Sequence, residues 1–110
     1  MYEVLVSNYF AKQLKRLAKK NHQLKEKLRD SLFSFNRNQA ISIGHGVYKF
    51  RVSAENRGKS GGYRVYVYMV KINKILTPIA IYPKNEKENL ALSELSKHLE
   101  MVKTELAALL

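Results

Sequence analysis

Residues 63–82 read YRVYVYMVKINKILTPIAIY, two runs rich in β-branched and aromatic residues that are separated by an Asn-Lys pair. Such residues fit the half-buried surface of a sheet, so the runs predict two strands, 63–72 and 75–82, joined by a tight turn. Pro78 lies inside the second run and cannot donate a main-chain hydrogen bond to a neighbouring strand. We therefore expect the second strand to lie at a sheet edge or to contain a bulge.

The stretch before this pair, residues 47–53, alternates in the manner of a further strand. Successive side chains of a strand point to opposite faces, so Lys49 and Arg51 are predicted on one face and the apolar residues between them on the other. The sheet should then separate these cations from the core. If the strand pairs with 63–72, Arg64 joins the two cations on the same face. The alternative interpretation is a set of solvated charges on an open face.

Three helices are indicated by apolar residues that recur every three or four positions. The first begins near Asn8 or Tyr9 after capping residues, the second covers residues 24–35, and the third, marked by apolar residues from Leu92 to Leu109, is capped near Ser93. This order predicts a single α+β domain over residues 1–110. Its N-terminal strand and helical hairpin precede an antiparallel sheet of three further strands and a C-terminal helix.

The chain is strongly basic: twenty Lys and Arg residues against nine Asp and Glu residues give a formal net charge of +11. Such a charge predicts a polyanionic partner, because bound phosphates release their counterions. Lys15 and Lys19 on the polar side of the first helix are candidate RNA contacts. Arg57 and Lys59 are further candidates, in a glycine-rich loop, 56–62, that lacks the spacing of a nucleotide-binding P-loop.

Several classes of protein are excluded by composition. The chain has no cysteine, and its three histidines have no ligand spacing, so we expect neither a disulfide framework nor a metal site, and no cofactor. His45 stands between two glycines and is favoured as a turn residue. No apolar run approaches the roughly 20 residues that span a bilayer, and the N-terminus lacks the pattern of a signal peptide. A cytoplasmic location without membrane contact is the expectation.

Residues suited to RNA cleavage cluster in two places. Metal-free cleavage requires a base for the 2′-OH proton, cations that stabilise the additional charge on phosphorus, and a proton donor for the leaving oxygen. The predicted cluster on the sheet supplies the cations. After the last strand, Tyr82 can stack on an unstacked base, while Lys84 and Glu86 can reach a phosphate. The alternative for this segment is an ordinary turn before a helix.

Three short motifs resemble those of a known family. They are GVYKFRV at residues 46–52, GKSGGYR at 58–64 and IYPKNE at 81–86. Their order and approximate spacing are similar to the three core motifs of the RelE/ParE superfamily of type II toxins, especially the HigB-like branch of RelE toxins. The resemblance covers nearly the whole chain.

The resemblance implies a microbial-RNase-like fold that acts as a ribosome-dependent endoribonuclease, or mRNA interferase, and inhibits translation by cutting mRNA in the decoding site. It also implies a cognate antitoxin, HigA-like and DNA-binding, as partner. By position, it implies catalytic roles for Lys49, Arg51, Arg64, Lys84 and Glu86.

Further positions extend or depart from the family pattern. Lys59 lies where related toxins often carry another basic residue. Asn85 stands where some relatives have arginine, Pro83 replaces a common glycine, and a C-terminal tyrosine of some members has no counterpart near Ala91. These differences shift more of the chemistry to the cations on the sheet.

Two other functions use the same features. A ParE-like relative would inhibit a topoisomerase without cutting RNA, and a non-catalytic RNA- or ribosome-binding module would use the basic residues for phosphate contacts alone. The first is disfavoured by the convergence of basic and acidic residues in the three motifs. The second predicts binding without turnover.

Overall fold

The computed structural model describes residues 2–53, 62–87 and 89–109. Its elements, in chain order, are β1 (Glu3–Val4), α1 (Asn8–Ala18), α2 (Leu24–Phe33), a 3₁₀ turn (Arg37–Gln39), β2 (Ile41–Gly44), β3 (Val47–Val52), β4 (Tyr63–Val70), β5 (Ile75–Pro83) and α3 (Leu92–Leu109). The predicted α+β class, the helix pair after a first strand and the C-terminal helix are confirmed.

The five strands form one mixed sheet in the order β1-β5-β4-β3-β2. β1 runs parallel to β5, and the other neighbours are antiparallel. The sheet thus contains one strand more than the sequence predicted, because β2 pairs with β3 across the turn around His45. β2 has four residues, two of them exposed, and this length is too short for alternation to distinguish it from the turn.

A bulge interrupts the β4–β5 pairing at the proline. Tyr66 lies opposite Ala80 whereas the next residue, Val67, lies opposite Pro78, so Ile79 is an additional residue on β5. The predicted bulge is confirmed. β5 as a whole lies between β1 and β4, but β1 pairs only as far as Leu76, so among the described residues Pro78 has a strand partner on the β4 side alone. A bulge accommodates the missing N–H of proline by leaving one residue out of the ladder.

A side chain of α1 extends the sheet where β1 ends. β1 pairs with β5 only as far as Leu76. Beyond that point the Gln13 amide donates to the main-chain oxygen of Ile79 and accepts from the main-chain N–H of Ile81, both at 3.1 Å. Gln13 therefore takes the place of a strand residue and satisfies two main-chain groups of buried residues.

The first helix is capped from two parts of the chain. The buried Ser7 side chain accepts a hydrogen bond from the Phe10 N–H at 3.0 Å, which confirms the predicted start of the helix. α1 has no acidic residue in its first turn, and Glu105 of α3 supplies that charge by accepting from the N–H groups of Asn8 and Tyr9. This carboxylate ties α3 to α1.

The sheet carries a hydrophobic core on each face. On one face α1 and α2 pack against β3, β4 and β5; the buried residues there are Phe10, Leu24, Leu28, Leu32, Val52, Val65, Val67, Met69, Leu76 and Ile81. On the other face, Leu95, Val102 and Leu106 of α3 pack against Val47, Tyr66, Ile79, Ala80 and Tyr82. The sheet thus separates the cations from the first core, as predicted, but a second core lies on the cations' own face.

Candidate functional site

Three cations meet on the face of the sheet that α3 partly covers. Arg51 lies directly opposite Arg64, and Arg64 lies directly opposite Tyr82. Lys49 is two residues before Arg51 on β3, opposite Tyr66. Directly opposed residues share a face, so Lys49, Arg51 and Arg64 form one cluster, called here the cationic face. Arg51 is exposed and the other two are half-buried.

The segment before α3 is bound to the cationic face. The Lys49 ammonium group donates to the side-chain oxygen of Asn89, and the Tyr66 hydroxyl accepts from the main-chain N–H of Leu90 at 3.3 Å. These contacts place the start of α3 beside the cations. Neither Asn89 nor Leu90 was a candidate from the sequence, since both contacts join residues at least 24 positions apart.

The predicted base-stacking residue is largely covered. The Tyr82 ring lies 6.2 Å from the Tyr66 ring, centroid to centroid, with 27° between the ring planes. Tyr82 is 8% exposed and Tyr66 is 2% exposed. The pair packs against α3, and Tyr82 lies directly opposite Arg64 on the neighbouring strand. Little of the Tyr82 surface remains for contact with RNA.

The remaining catalytic candidates follow β5. Lys84 is half-buried, and its N–H donates to the Gly62 oxygen at 2.9 Å, which holds the turn against the start of β4. Glu86 is exposed and borders a groove of about 410 Å³ between α1, β5 and α3. None of the cationic residues Lys49, Arg51 and Arg64 borders that groove. The structure thus places Glu86 in a different groove from the cations.

A second groove, of about 460 Å³, borders the cationic face; we call it the edge groove. It lies where β3 continues past the end of β2, since β2 pairs no further than Ile41 with Lys49. The cations form one side of it and the end of α2 with the 3₁₀ turn forms the other. Its lining residues are Ser31, Ser34, Phe35, Asn36, Gln39, Ala40, Ile41, Lys49, Phe50, Arg51 and Arg64.

The predicted RNA contacts outside the sheet are spread over the molecule. Lys15 and Lys19 are exposed at α1 and its C-terminal cap, and α1 packs through Phe10 on the sheet face opposite the cations. Arg57 and Lys59 lie outside the described residues. The structure therefore does not join Lys15 and Lys19 to the cationic face.

A titratable pair links α1 to α3 beside the groove that Glu86 borders. The Tyr9 hydroxyl and the Nδ1 atom of His98 are 2.7 Å apart. Burial lowers the pKa of His98; the nearby Glu94 carboxylate opposes this effect and the Lys87 ammonium group adds to it. The hydrogen bond from Lys87, at 2.9 Å, is the main cause of the lowered pKa of Glu94. This pair could not be predicted from local sequence patterns, because its partners are 89 positions apart.

Comparison with known proteins settles the family. Residues 7–109 match the family model described as RelE toxin of the RelE/RelB toxin–antitoxin system. The chain belongs to the RelE toxin family. Its fold is similar to a solved structure of Escherichia coli toxin RelE, a mutant with two arginines replaced by alanine, in the free state. That match has 20% sequence identity and a TM-score of 0.54, and it covers 79% of this chain and 87% of the other.

This family assignment confirms the resemblance at the level of RelE toxins, and the HigB-like branch stays a prediction. No curated protein matches the chain significantly. Within the described ranges, no helix is long and apolar enough to cross a membrane. A search of the same residues found no group of three or more His, Cys, Asp or Glu side chains placed to hold a metal ion.

Proposed function

We propose that this RelE-family toxin is a metal-independent, ribosome-dependent endoribonuclease that cuts mRNA and so inhibits translation. The observation that supports this proposal best is the pairing of Arg51 with Arg64 beside Lys49 on one accessible face of the sheet. Like charges directly opposite each other destabilise a sheet. A phosphate group placed between the two guanidinium groups is attracted by both.

The reaction is attack of a 2′-oxygen on the adjacent phosphorus. The 2′-O–P bond forms as the P–O5′ bond breaks, which leaves a 2′,3′-cyclic phosphate and a 5′-hydroxyl. Arg64 and Arg51 stabilise the additional negative charge that develops on the phosphate oxygens. The ammonium group of Lys49, on the cationic face, can donate a proton to the 5′ oxygen as it leaves. Lys84 and Glu86, on the turn after β5, remain the candidates for transfer of the 2′-OH proton, although Glu86 borders a different groove from the cations.

The partners follow from the same proposal. A net charge of +11 favours binding to ribosomal RNA and mRNA. The proposed contacts are Lys15 on α1, Lys19 at its C-terminal cap, and Arg57 and Lys59. A cognate antitoxin, HigA-like and DNA-binding, neutralises the toxin. The location proposed for the toxin is the cytoplasm, where its mRNA substrate is translated.

Arg64→Ala tests the function, with Arg29→Ala as the matched control. Arg29 is an exposed arginine of α2, which packs on the opposite face of the sheet, so its removal changes the net charge equally. A cell-free translation reaction with and without ribosomes is followed by mapping of mRNA 5′ ends. We expect wild type and Arg29→Ala to cut only when ribosomes are present, and folded Arg64→Ala to lose at least about a hundredfold in cleavage rate.

Other outcomes would reassign the protein. Cleavage by folded Arg64→Ala at the wild-type rate would remove Arg64 from the mechanism. Ribosome binding without cuts by the wild type would indicate a non-catalytic RNA-binding module. Growth arrest with intact mRNA would instead favour a ParE-like inhibitor of a topoisomerase.

A further inference from the structure

We propose that the edge groove is a nucleobase subsite, which holds the unstacked base next to the scissile phosphate and sets the sequence preference of cleavage. This inference rests on the proposed function, because it takes the phosphate to lie on the cationic face. The groove and that face share Lys49, Arg51 and Arg64, so a phosphate bound by these cations places the adjoining base at the groove. RNA is read in this way, through single-stranded bases that leave the stack.

The wall opposite the cations carries amide and hydroxyl groups. Asn36 and Gln39 border the groove from the 3₁₀ turn and the residue before it. An amide offers both donors and an acceptor, which is the combination that distinguishes base edges. The side-chain oxygen of Asn36 accepts a hydrogen bond from the main-chain N–H of Asn38 at 2.9 Å, and this bond orients the side-chain NH₂ group of Asn36. Gln39 is exposed at the end of the same turn.

The main chain of β3 adds a second set of polar groups. β2 stops at the Ile41–Lys49 pair, so among the described residues Phe50 and Arg51 have a strand partner on the β4 side alone. An outer strand edge presents N–H and C=O groups that can pair with an added polar ligand. A base in the groove can use these groups on one side and the amides on the other.

The floor of the groove is suited to a flat ring. Phe35 is half-buried, with its ring 6.0 Å from that of Phe50 and tilted at 56°. Ile41, at the rim, is 57% exposed. An aromatic ring with adjacent apolar surface stacks on bases of any sequence.

The charge of the groove favours RNA over an acidic peptide. Its described lining contains three cations and no Asp or Glu, so either polyanion is attracted. The amides, the aromatic floor and the position next to the cationic face suit one nucleotide, namely a phosphate followed by a planar group with donors and acceptors on its edge. A groove for a carboxylate peptide needs only the cations.

Gln39→Ala tests the subsite, with Asn38→Ala as the matched control. Asn38 belongs to the same 3₁₀ turn but does not border the edge groove. In the translation assay, the cut positions are mapped over many codons and total cleavage is measured separately. Loss of one hydrogen bond to a base is worth about 0.5 to 1.5 kcal/mol, which corresponds to a change of about two- to tenfold in base preference beside the cut. We expect this change in Gln39→Ala and the wild-type preference in Asn38→Ala.

A binding assay separates this inference from the proposed function. Short single-stranded RNAs that differ in one base and carry 2′-deoxyribose at the scissile position cannot be cut, and their affinities are measured by fluorescence anisotropy. A base preference that Gln39→Ala loses and Asn38→Ala retains supports the subsite, even if the wild type cuts no mRNA and the proposed function fails. The wild-type base preference in Gln39→Ala, in both cleavage and binding, would overturn the subsite while leaving the endoribonuclease intact.

Discussion

The Gln13 amide should contribute more to stability than its place on a helix surface suggests. It donates to the oxygen of Ile79 and accepts from the N–H of Ile81, each at 3.1 Å. These two β5 residues are 0% and 4% exposed. Substitution of Gln13 by alanine removes both bonds from a strand that has no further β1 partner beyond Leu76.

The expected loss follows from the two main-chain groups left behind. A buried donor or acceptor without a partner costs about 1 to 3 kcal/mol. Both bonds are only partly buried, so water can hydrogen-bond to the two main-chain groups when the amide is removed. The cost of each group therefore lies in the lower half of that range. Alanine also has a higher helix propensity than glutamine, which returns a few tenths of a kcal/mol. We therefore expect Gln13→Ala to lower the free energy of unfolding by about 2 kcal/mol.

Urea unfolding followed by circular dichroism measures this loss, with Lys12→Ala as the control. Lys12 is the exposed neighbour of Gln13 on α1, and its truncation should change stability by less than about 0.5 kcal/mol. Gln13→Met keeps the length of the side chain without its hydrogen bonds and should lose nearly as much as Gln13→Ala. If Gln13→Ala and Lys12→Ala unfold at the same urea concentration with equal slopes, the amide does not stabilise β5 and the reasoning is wrong.

Two further predictions concern His98 and the β2–β3 turn. Because the folded-state pKa of His98 is lowered below 6.5, the unfolded chain takes up a proton first as the pH falls. His98 therefore lowers the free energy of unfolding as the pH falls below 6.5. Urea unfolding measured at several pH values should show this loss in the wild type and a smaller loss in His98→Gln. Gly44 and Gly46 both have positive φ angles, 104° and 83°, but only at Gly46 does an added Cβ meet main chain, at 3.0 Å from the Met69 oxygen. Both alanine variants should lose about 1 kcal/mol or more to backbone strain, and the larger loss in thermal unfolding should belong to Gly46→Ala.

Local patterns predicted the parts of this fold that depend on local physics. Alternation along β3 and β4 separated the two faces of the sheet, and the structure confirms that Arg64 and Tyr66 share a face while Val65 and Val67 pack on the other. Serine capping located the start of α1. The meeting of Arg51 with Arg64 followed from the same alternation together with an assumed pairing of the two strands.

Contacts between distant parts of the chain could not be predicted from those patterns. β1 pairs in parallel with β5, and a two-residue strand carries no periodic signal. Glu105 caps a helix that begins 97 positions earlier, and Asn89 reaches Lys49 over 40 positions. Such pairs depend on how α3 docks, which is decided by the shape of the whole apolar face. The second core was missed for the same reason, since α3 could have packed on either side of the sheet.

The docking of α3 also explains why the exposure of the cationic face increases towards Arg51. α3 buries Val47, at the start of β3, but leaves Arg51, four residues along the same face, exposed. The cluster therefore has an apolar floor on one side and solvent on the other, a setting in which charges are screened less than in open water. Attraction to a phosphate is strengthened there, and so is the repulsion between Arg51 and its directly opposed neighbour Arg64. Under the proposed function, a phosphate bound between the two arginines offsets that repulsion.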